Sequence, residues 1–275
     1  MKTKNIQLAT VISAIAALSG CGSSDSSSGD NNSLKEIANC GSEHSFVNKL
    51  AAESSPSAFH CDSYTTVTIP ADDLENSFNQ ALSEAKSCTT IELPAGEFNM
   101  TSTVSFDAQL GEQVYGINIV GQGRYDANEK TTLNFEGTQG DGLHIENARN
   151  ILFENFSVLE AGKNAIKVIN SEQVAMRCVS TIWVTPESAD NGAYGLYPVQ
   201  SKHILVEDSY VEGSADAGIY VGQSENIVVR RNTAHRNVAG IEIENSIGAD
   251  VYQNTATANT GGVLIFDLPI GSGRY

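Results

Sequence analysis

The segment "AGIYVGQSENIVVRRN", residues 217–232, is repeated in outline by "AGIEIENSIGADVYQN", residues 239–254, 22 residues later. Setting glycines in register extends the pattern to Gly142, Ala165 in a glycine's place, Gly195, Gly218, Gly240 and Gly262, at spacings of 23, 30, 23, 22 and 22 residues. Each anchor opens an alternating apolar stretch: "LHIE", "IKVI", "LYPV", "IYVG", "IEIE" and "VLIF". Eleven residues beyond the first five anchors stand Phe153, Met176, Val206, Val229 and Val251. Short β-rich segments with Gly, Asn and Ser turns at this period describe coils that stack on their neighbours. One coil cannot bury its inward side chains, whereas coils stacked about 4.8 Å apart fuse them into one core. The expected fold is all-β, a parallel β-solenoid.

Alternation after the anchors sends Leu143, Ile166, Leu196, Ile219, Ile241 and Val263 inward. His144, Lys167, Tyr197, Tyr220, Glu242 and Leu264 then form an outward ladder along one sheet. Asn232 with Asn254, and Asn237 with Asn259, recur 22 apart, as turn amides that bond along the stack. "RRNTAHR" gives the densest basic cluster, but Glu207, Asp208 and Glu212 stand 23 residues before Arg230, Arg231 and His235. Counted in register these are exposed pairs, each contributing at most about 1 kcal/mol, rather than an anion site.

The chain ends differ in character. Lys2 and Lys4 precede the apolar run "IQLATVISAIAAL", which is too short to span a bilayer and reads as an export signal. Removing it leaves 14 basic against 33 acidic residues, a net of about −19, which argues against a nucleic-acid partner. "GSSDSSSGDNNS", residues 22–33, has almost no apolar content and reads as a flexible tether. "DDLENSFNQALSEAK" places Leu74, Phe78, Leu82 and Ala85 on one helical face, a lid for one end of the core, with Asp72 and Glu75 spaced as a capping box. At the other end the pattern is still running at "VLIFD", so the expectation is a truncated chain or a last coil docked on a partner. Beyond Cys21, Cys40 with Cys61, or Cys61 with Cys88, could staple the region before the coils, and Cys178 reads as a small buried thiol. No "CxxCH" haem motif is present, and no cofactor or metal is assigned.

Two resemblances add to this. Ser19 and Gly20 before Cys21 resemble the lipobox of bacterial lipoproteins, which implies cleavage before Cys21 and lipid on its thiol. Gly22 in place of an aspartate implies sorting to the outer membrane, with the bilayer as a partner through that anchor. "CTTIELPAGEFNMTSTVSF", "INIVGQG", "TTLNFEG" and "GDGLHIENARNILFENFSV" resemble the opening coils of right-handed parallel β-helix proteins of the pectin-lyase-like superfamily. "GAYGLYPVQSKHILVEDSYVEGS" resembles a bacterial lipoprotein family of tandem parallel β-helix repeats, tending to be encoded beside a c-type cytochrome-like protein. The organisation expected is a signal peptide over 1–20, a lipid-anchored tether over 21–34, an N-terminal extension over 35–70 and a β-helix domain over 71–275.

The ladder carries the candidate chemistry. Tyr197 and Tyr220 beside Glu242 and Lys167 suit a sugar chain, with rings on the aromatic faces and hydroxyls bonded at their edges. The seven-residue surplus of the long interval falls in "TIWVTPESADN", an overhanging loop that would set Trp183, Glu187 and Asp190 against a cleft. For lyase or epimerase chemistry on uronic acids the residues to test are Glu242, Tyr220, His144 and Lys167. Asp216, Glu242, Glu244 and Asp267 could supply paired carboxylates for hydrolysis, and Glu242 with Glu244 alone make a weak Ca²⁺ site. The epimerases' "DPHD" and the polygalacturonases' "GHG" and "RIK" motifs are absent. The reading is an exported, lipid-anchored surface that binds a carbohydrate or a partner protein; the alternatives are a carbohydrate-active enzyme and a docking partner for an exported cytochrome.

Overall fold

The computed structural model describes residues 59–109, 113–186 and 188–269. Within them the chain winds through three walls of parallel strands. The first stacks Val104–Asp107, Leu143–Glu146, Asn164–Ile169, Tyr194–Val199, Ala217–Gly222, Ala239–Glu244 and Gly261–Phe266. The second starts at Thr65–Thr68 and rises through Thr89–Glu92 and Tyr115–Val120 to Lys202–Glu207, Glu225–Arg230 and Ile247–Tyr252. The third includes Gly96–Asn99, Thr131–Asn134, Tyr210–Glu212, Thr233–His235 and Thr255–Thr257. The 11-residue strands Arg149–Leu159 and Glu172–Ile182 run through both the second and the third. Thr65–Thr68 pairs in register with Thr89–Glu92, so the stack already includes part of the segment expected to be an extension.

Register follows the anchors. Leu143, Ile166, Leu196, Ile219 and Ile241 pair in sequence and are fully buried. Phe153, Met176, Val206 and Val229 do the same on the second wall. Burial of each such side chain contributes about 1.5–3 kcal/mol, and the stack makes these contributions collective. Val263 and Ile265 occupy the same inward columns yet are 46% and 69% exposed, since no described coil lies over them.

The left-handed conformation of the corners was not foreseen. Left-handed residues recur in columns, Asn147, Asn170, Gln200, Gln223 and Asn245 at one corner and Asn155, Cys178, Asp208, Arg231 and Gln253 at another. Asparagine and aspartate visit this region cheaply, while glutamine, arginine and cysteine pay roughly 1–2 kcal/mol that stacking must offset. Polar ladders brace the corners, the two asparagine ladders as expected, with Asn237 and Asn259 following left-handed Arg236 and Ala258 at a further one. Asn254 Oδ1 accepts from the Asn232 backbone N–H at 3.0 Å, and its Nδ2 donates to the Val229 carbonyl at 2.8 Å. Asn259 makes the equivalent bonds to Asn237 and Ala234. A serine ladder, absent from the expectations, links Ala148, Ser171, Ser201, Ser224 and Ser246 through N–H to Oγ bonds of 3.0–3.2 Å.

The expected helix forms over Leu74–Ser83 and buries Leu74, Phe78 and Leu82 in the common core. Its start differs from the capping box. Asp73 holds the N-cap position with no side-chain cap bond. Glu75 instead takes the N–H and hydroxyl groups of Thr101 and Ser102, at 2.8–3.2 Å, and pins the helix to a neighbouring turn. Burial pushes its carboxyl up, but those bonds outweigh it and hold the group below the usual carboxylate range.

The disulfide alternatives resolve to Cys61–Cys88. Cys178 is buried but is itself disulfide-bonded, which corrects its reading as a free thiol; its partner lies outside the described residues. The acid–base pairs stand in the predicted register, Glu207 opposite Arg230 and Glu212 opposite His235. They are not exposed pairs as expected, because Glu207 and Asp208 are buried. The lipobox, Cys21 and the tether fall outside the described residues, and no described helix is long and apolar enough to cross a membrane.

Candidate functional site

The first wall sets the ladder in order. Ser105, His144 and Lys167 pair in sequence, Tyr197 lies beside Lys167, and Tyr220, Glu242 and Leu264 follow. Alternation alone therefore places these side chains, as the anchors imply. Their surroundings divide the ladder into three zones.

The lowest zone is built on His144. Its Nδ1 lies 2.8 Å from Asp141 and its Nε2 2.8 Å from Glu146. The bond to Asp141 raises the imidazole pKa more than burial lowers it. Asp141 is held below its ordinary value, because the bonds from His144 and Asn164 outweigh the upward push of burial. Ser105, Phe106, Asp107, His144 and Glu146 line a shallow concavity here.

The middle zone is aromatic. Tyr194, Tyr197 and Tyr220 pack with ring centroids 4.6–5.1 Å apart, the last two edge to face. Lys167 Nζ lies 5.6 Å from the Tyr197 ring centroid, a cation–π placement. Tyr194 was missed by sequence reasoning, although it precedes an anchor in a column where Ala217 and Ala239 are small enough to seat rings. Tyr197 is half-buried, whereas Tyr220 is only 3% exposed. The expected pair of open stacking platforms is thus corrected: Tyr220 forms the floor, its hydroxyl donating to Glu244 at 2.8 Å.

The upper zone is acidic, with Asp216, Glu242 and Glu244 close enough to repel. Burial, then the charges of Asp216 and Glu244, push Glu242 up to about 7. Burial raises both Tyr194 and Tyr220, helped by Asp216 and Glu244 respectively. The unfolded chain releases the Glu242 proton near pH 4.3, so between there and about 7 the folded state holds more protons and stability falls as pH rises. Glu242→Gln is expected to stabilise by on the order of 2 kcal/mol at pH 8, allowing for solvent screening, and by little at pH 4. Urea unfolding at both pH values checks this, and an equal change at each rejects it.

Trp183 does not belong to the site. It is 1% exposed, and its Nε1 donates to the Ala161 carbonyl at 2.9 Å. Ser188 and Ala189, from the insertion, border a concavity with Ser214, Ala215, Asn237 and Val238 at a corner, so the loop rests there rather than walling the ladder. Asp190 is exposed on that loop, and Glu187 lies outside the described residues. Among the described residues no group of three or more His, Cys, Asp or Glu is arranged to hold a metal ion.

The family described as "Right handed beta helix region" matches residues 115–268. The chain belongs to that family. The right-handed parallel β-helix expected from the opening coils is thus the architecture found. Similar solved structures include the A-module of an Azotobacter vinelandii mannuronan C-5 epimerase, with TM-score 0.49 and 16% identity over 80% of this chain and 63% of that one. Another is a Yersinia enterocolitica family 28 exopolygalacturonase, with TM-score 0.44 and 12% identity over 70% of this chain and 48% of that one. An alginate lyase from Paenibacillus sp. str. FPU-7 has TM-score 0.41 and 14% identity, over 69% and 75% of the two chains. These neighbours of the β-helix are carbohydrate-active enzymes, and the likeness concerns the fold alone. No curated protein matches the chain.

Proposed function

We propose that the outward ladder of the first wall binds a carbohydrate chain, on an exported protein held at the outer membrane by lipid on Cys21. The tyrosine cluster carries this reading: Tyr197 is half-buried above the floor formed by Tyr220, with the Lys167 ammonium over its ring. Aromatic rings pack against the apolar faces of sugars, while the charged groups above and below bond their hydroxyl rims. Removing one such ring contact costs about 0.5–1.5 kcal/mol, up to roughly tenfold in affinity. Tyr197→Ala and Lys167→Ala should each weaken retention in affinity gels cast with a panel of neutral and uronic-acid polysaccharides, at a nearly unchanged melting temperature. Retention that survives the double substitution would remove the ladder from consideration.

A catalytic reading has one observation in its favour. Glu242 keeps its proton up to about pH 7, as a general acid requires. Incubating the protein with the same panel and watching for unsaturated products, chain shortening or altered epimer content tests it. Turnover abolished by Glu242→Gln supports an enzyme; a silent panel with folded protein leaves the binding surface alone.

A further inference from the structure

The second wall carries an apolar stripe on its outward face. Leu152, Ala175 and Leu205 pair in successive coils and alternate with core side chains such as Phe153 and Met176. They therefore point away from the core, and they form a cluster of their own. Open to water, such a stripe would be accessible, yet the three are 6%, 3% and 0% exposed. Val228 pairs with Leu205 and prolongs the stripe rather than covering it. Arg124 lies over the neighbouring acid–base column, bound to Asp126 and to the Asp208 carbonyl. Cysteine accounting points to the cover. Cys178 stands three residues beyond Ala175, at the left-handed corner on one flank of the stripe, and is disulfide-bonded. The chain has five cysteines, and Cys61 and Cys88 bond each other, so the partner is Cys21 or Cys40. With the Cys21 thiol carrying lipid, as proposed above, Cys40 remains. On the other flank Asn150, two residues before Leu152, donates from Nδ2 to the Phe59 carbonyl at 3.0 Å, and the Phe59 ring packs on Tyr115 at 5.7 Å.

We infer that residues 41–58 are a strap docked across the outward face of the second wall, closed by a Cys40–Cys178 disulfide, with Phe46, Val47 and Leu50 supplying the apolar cover for Leu152, Ala175 and Leu205. The choice of Cys40 over Cys21 rests on the lipid reading of the proposed function, and the docking does not. Nineteen residues separate Cys40 from Phe59, ample to cross a stripe about 17 Å wide, the length of five strand residues. The segment, "GSEHSFVNKLAAESSPSA", has its large apolar side chains gathered at Phe46, Val47 and Leu50. Closing the bond takes two protons and two electrons from the two thiols, and a protein disulfide of the oxidising compartment accepts them to become a dithiol. The strap occupies a different wall from the ladder, which stays open to a ligand.

Non-reducing tryptic digestion of the denatured full chain, read by mass spectrometry, tests the bond. Cuts after Lys35, Lys49, Arg177 and Lys202 put Cys40 on residues 36–49 and Cys178 on residues 178–202. The expected product is these two peptides joined. A Cys21–Cys178 pair overturns the inference together with the lipid reading, whereas a free Cys178 thiol overturns the inference alone. Brief trypsin treatment of the native full chain tests the docking, because a packed segment is cut only when it opens locally. Phe46→Ser with Val47→Ser should speed cleavage after Lys49, inside the strap, by on the order of tenfold, and leave cleavage after Lys35, before the strap, unchanged. An unchanged rate after Lys49 overturns the docking. Equal acceleration at both sites also overturns it, because the substitutions would then have loosened the N-terminal region as a whole.

Discussion

Trp183→Ala is expected to lower the unfolding free energy by about 3–5 kcal/mol, the range for emptying a buried aromatic site. The indole is 1% exposed and is the largest fully buried side chain of the described residues. Its surroundings are shaped to it. A β-carbon on Gly192 would sit 2.6 Å from the ring, and one on Gly213 would sit 2.6 Å from the Trp183 carbonyl oxygen. Gly213 has φ +82°, which no β-branched residue adopts without strain. The cavity has little freedom to collapse, because the Trp183 N–H is held by the Glu212 carbonyl at 3.0 Å and so belongs to the hydrogen-bonded stack. Trp183→Phe should cost less, about 1–3 kcal/mol, since a ring is kept while the Ala161 carbonyl loses its donor. Urea titration of both variants checks the order. Equal costs, or a loss under 1 kcal/mol for alanine, would return the indole to the surface.

Glu207→Ala is expected to cost a similar amount, about 3–5 kcal/mol, through charge rather than volume. Glu207 is 2% exposed and receives Arg230 and Arg231 at 2.7 Å, with Arg177 at 3.5 Å. Glu154, Arg177, Glu207 and Arg230 occupy one column in successive coils, so charge alternates along the stack. Arg124 covers this column from the side, donating to the Asp208 carbonyl at 2.8 Å while its Nε holds Asp126 at 2.7 Å. Removing the acid leaves Arg177 and Arg230 at low exposure beside the more open Arg231, with the carboxylates of Glu154 and Asp208 among them. Replacing Glu207 and Arg230 together by apolar residues should recover much of the loss, because a buried pair removed whole also removes its desolvation cost. A double-mutant cycle measured by urea unfolding reads this directly. Additive losses would mean that the column acts as independent surface pairs.

Much of the fold was legible because the anchor glycines Gly142, Gly195 and Gly240 make room for a carbonyl of the next coil. A β-carbon at Gly195 would lie 2.4 Å from the Gly218 carbonyl oxygen, so spacing and stacking carry the same information. The left-handed corners were not legible, since Gln, Arg and Cys have no intrinsic liking for that region and adopt it only once the coils are packed. Trp183 follows Ile182 at the edge of the insertion, and nothing in its neighbours' identities distinguishes a core position from a loop. In the site, alternation placed every ladder residue on the correct face but could not tell outward from accessible. Tyr220 and Glu242 point away from the core and are buried all the same, covered by neighbours along the wall. The acid–base column was read correctly in register and wrongly in exposure for the same reason, with Arg124 from residues 121–130 lying against it.

Each asparagine of the ladders bonds to the coil before it, and Asn232 and Asn237 also donate to Asn254 and Asn259 of the coil after. Asn254 and Asn259 each satisfy their amides on groups of the preceding coil, Asn232 with Val229 and Asn237 with Ala234. Asn232 and Asn237 do the same with Ser209 and Val206, and with Ser214 and Val211. A copy of residues 233–254 inserted after Asn254 would therefore find every partner it needs already in place, and its own groups would present the same seats to whatever came next. A duplication of half a coil would leave amides facing apolar strands. Growth and shrinkage in steps of one full turn are thus open to such a protein at little energetic penalty, which makes the number of turns, and with it the length of the outward ladder, the most readily inherited variable of its architecture.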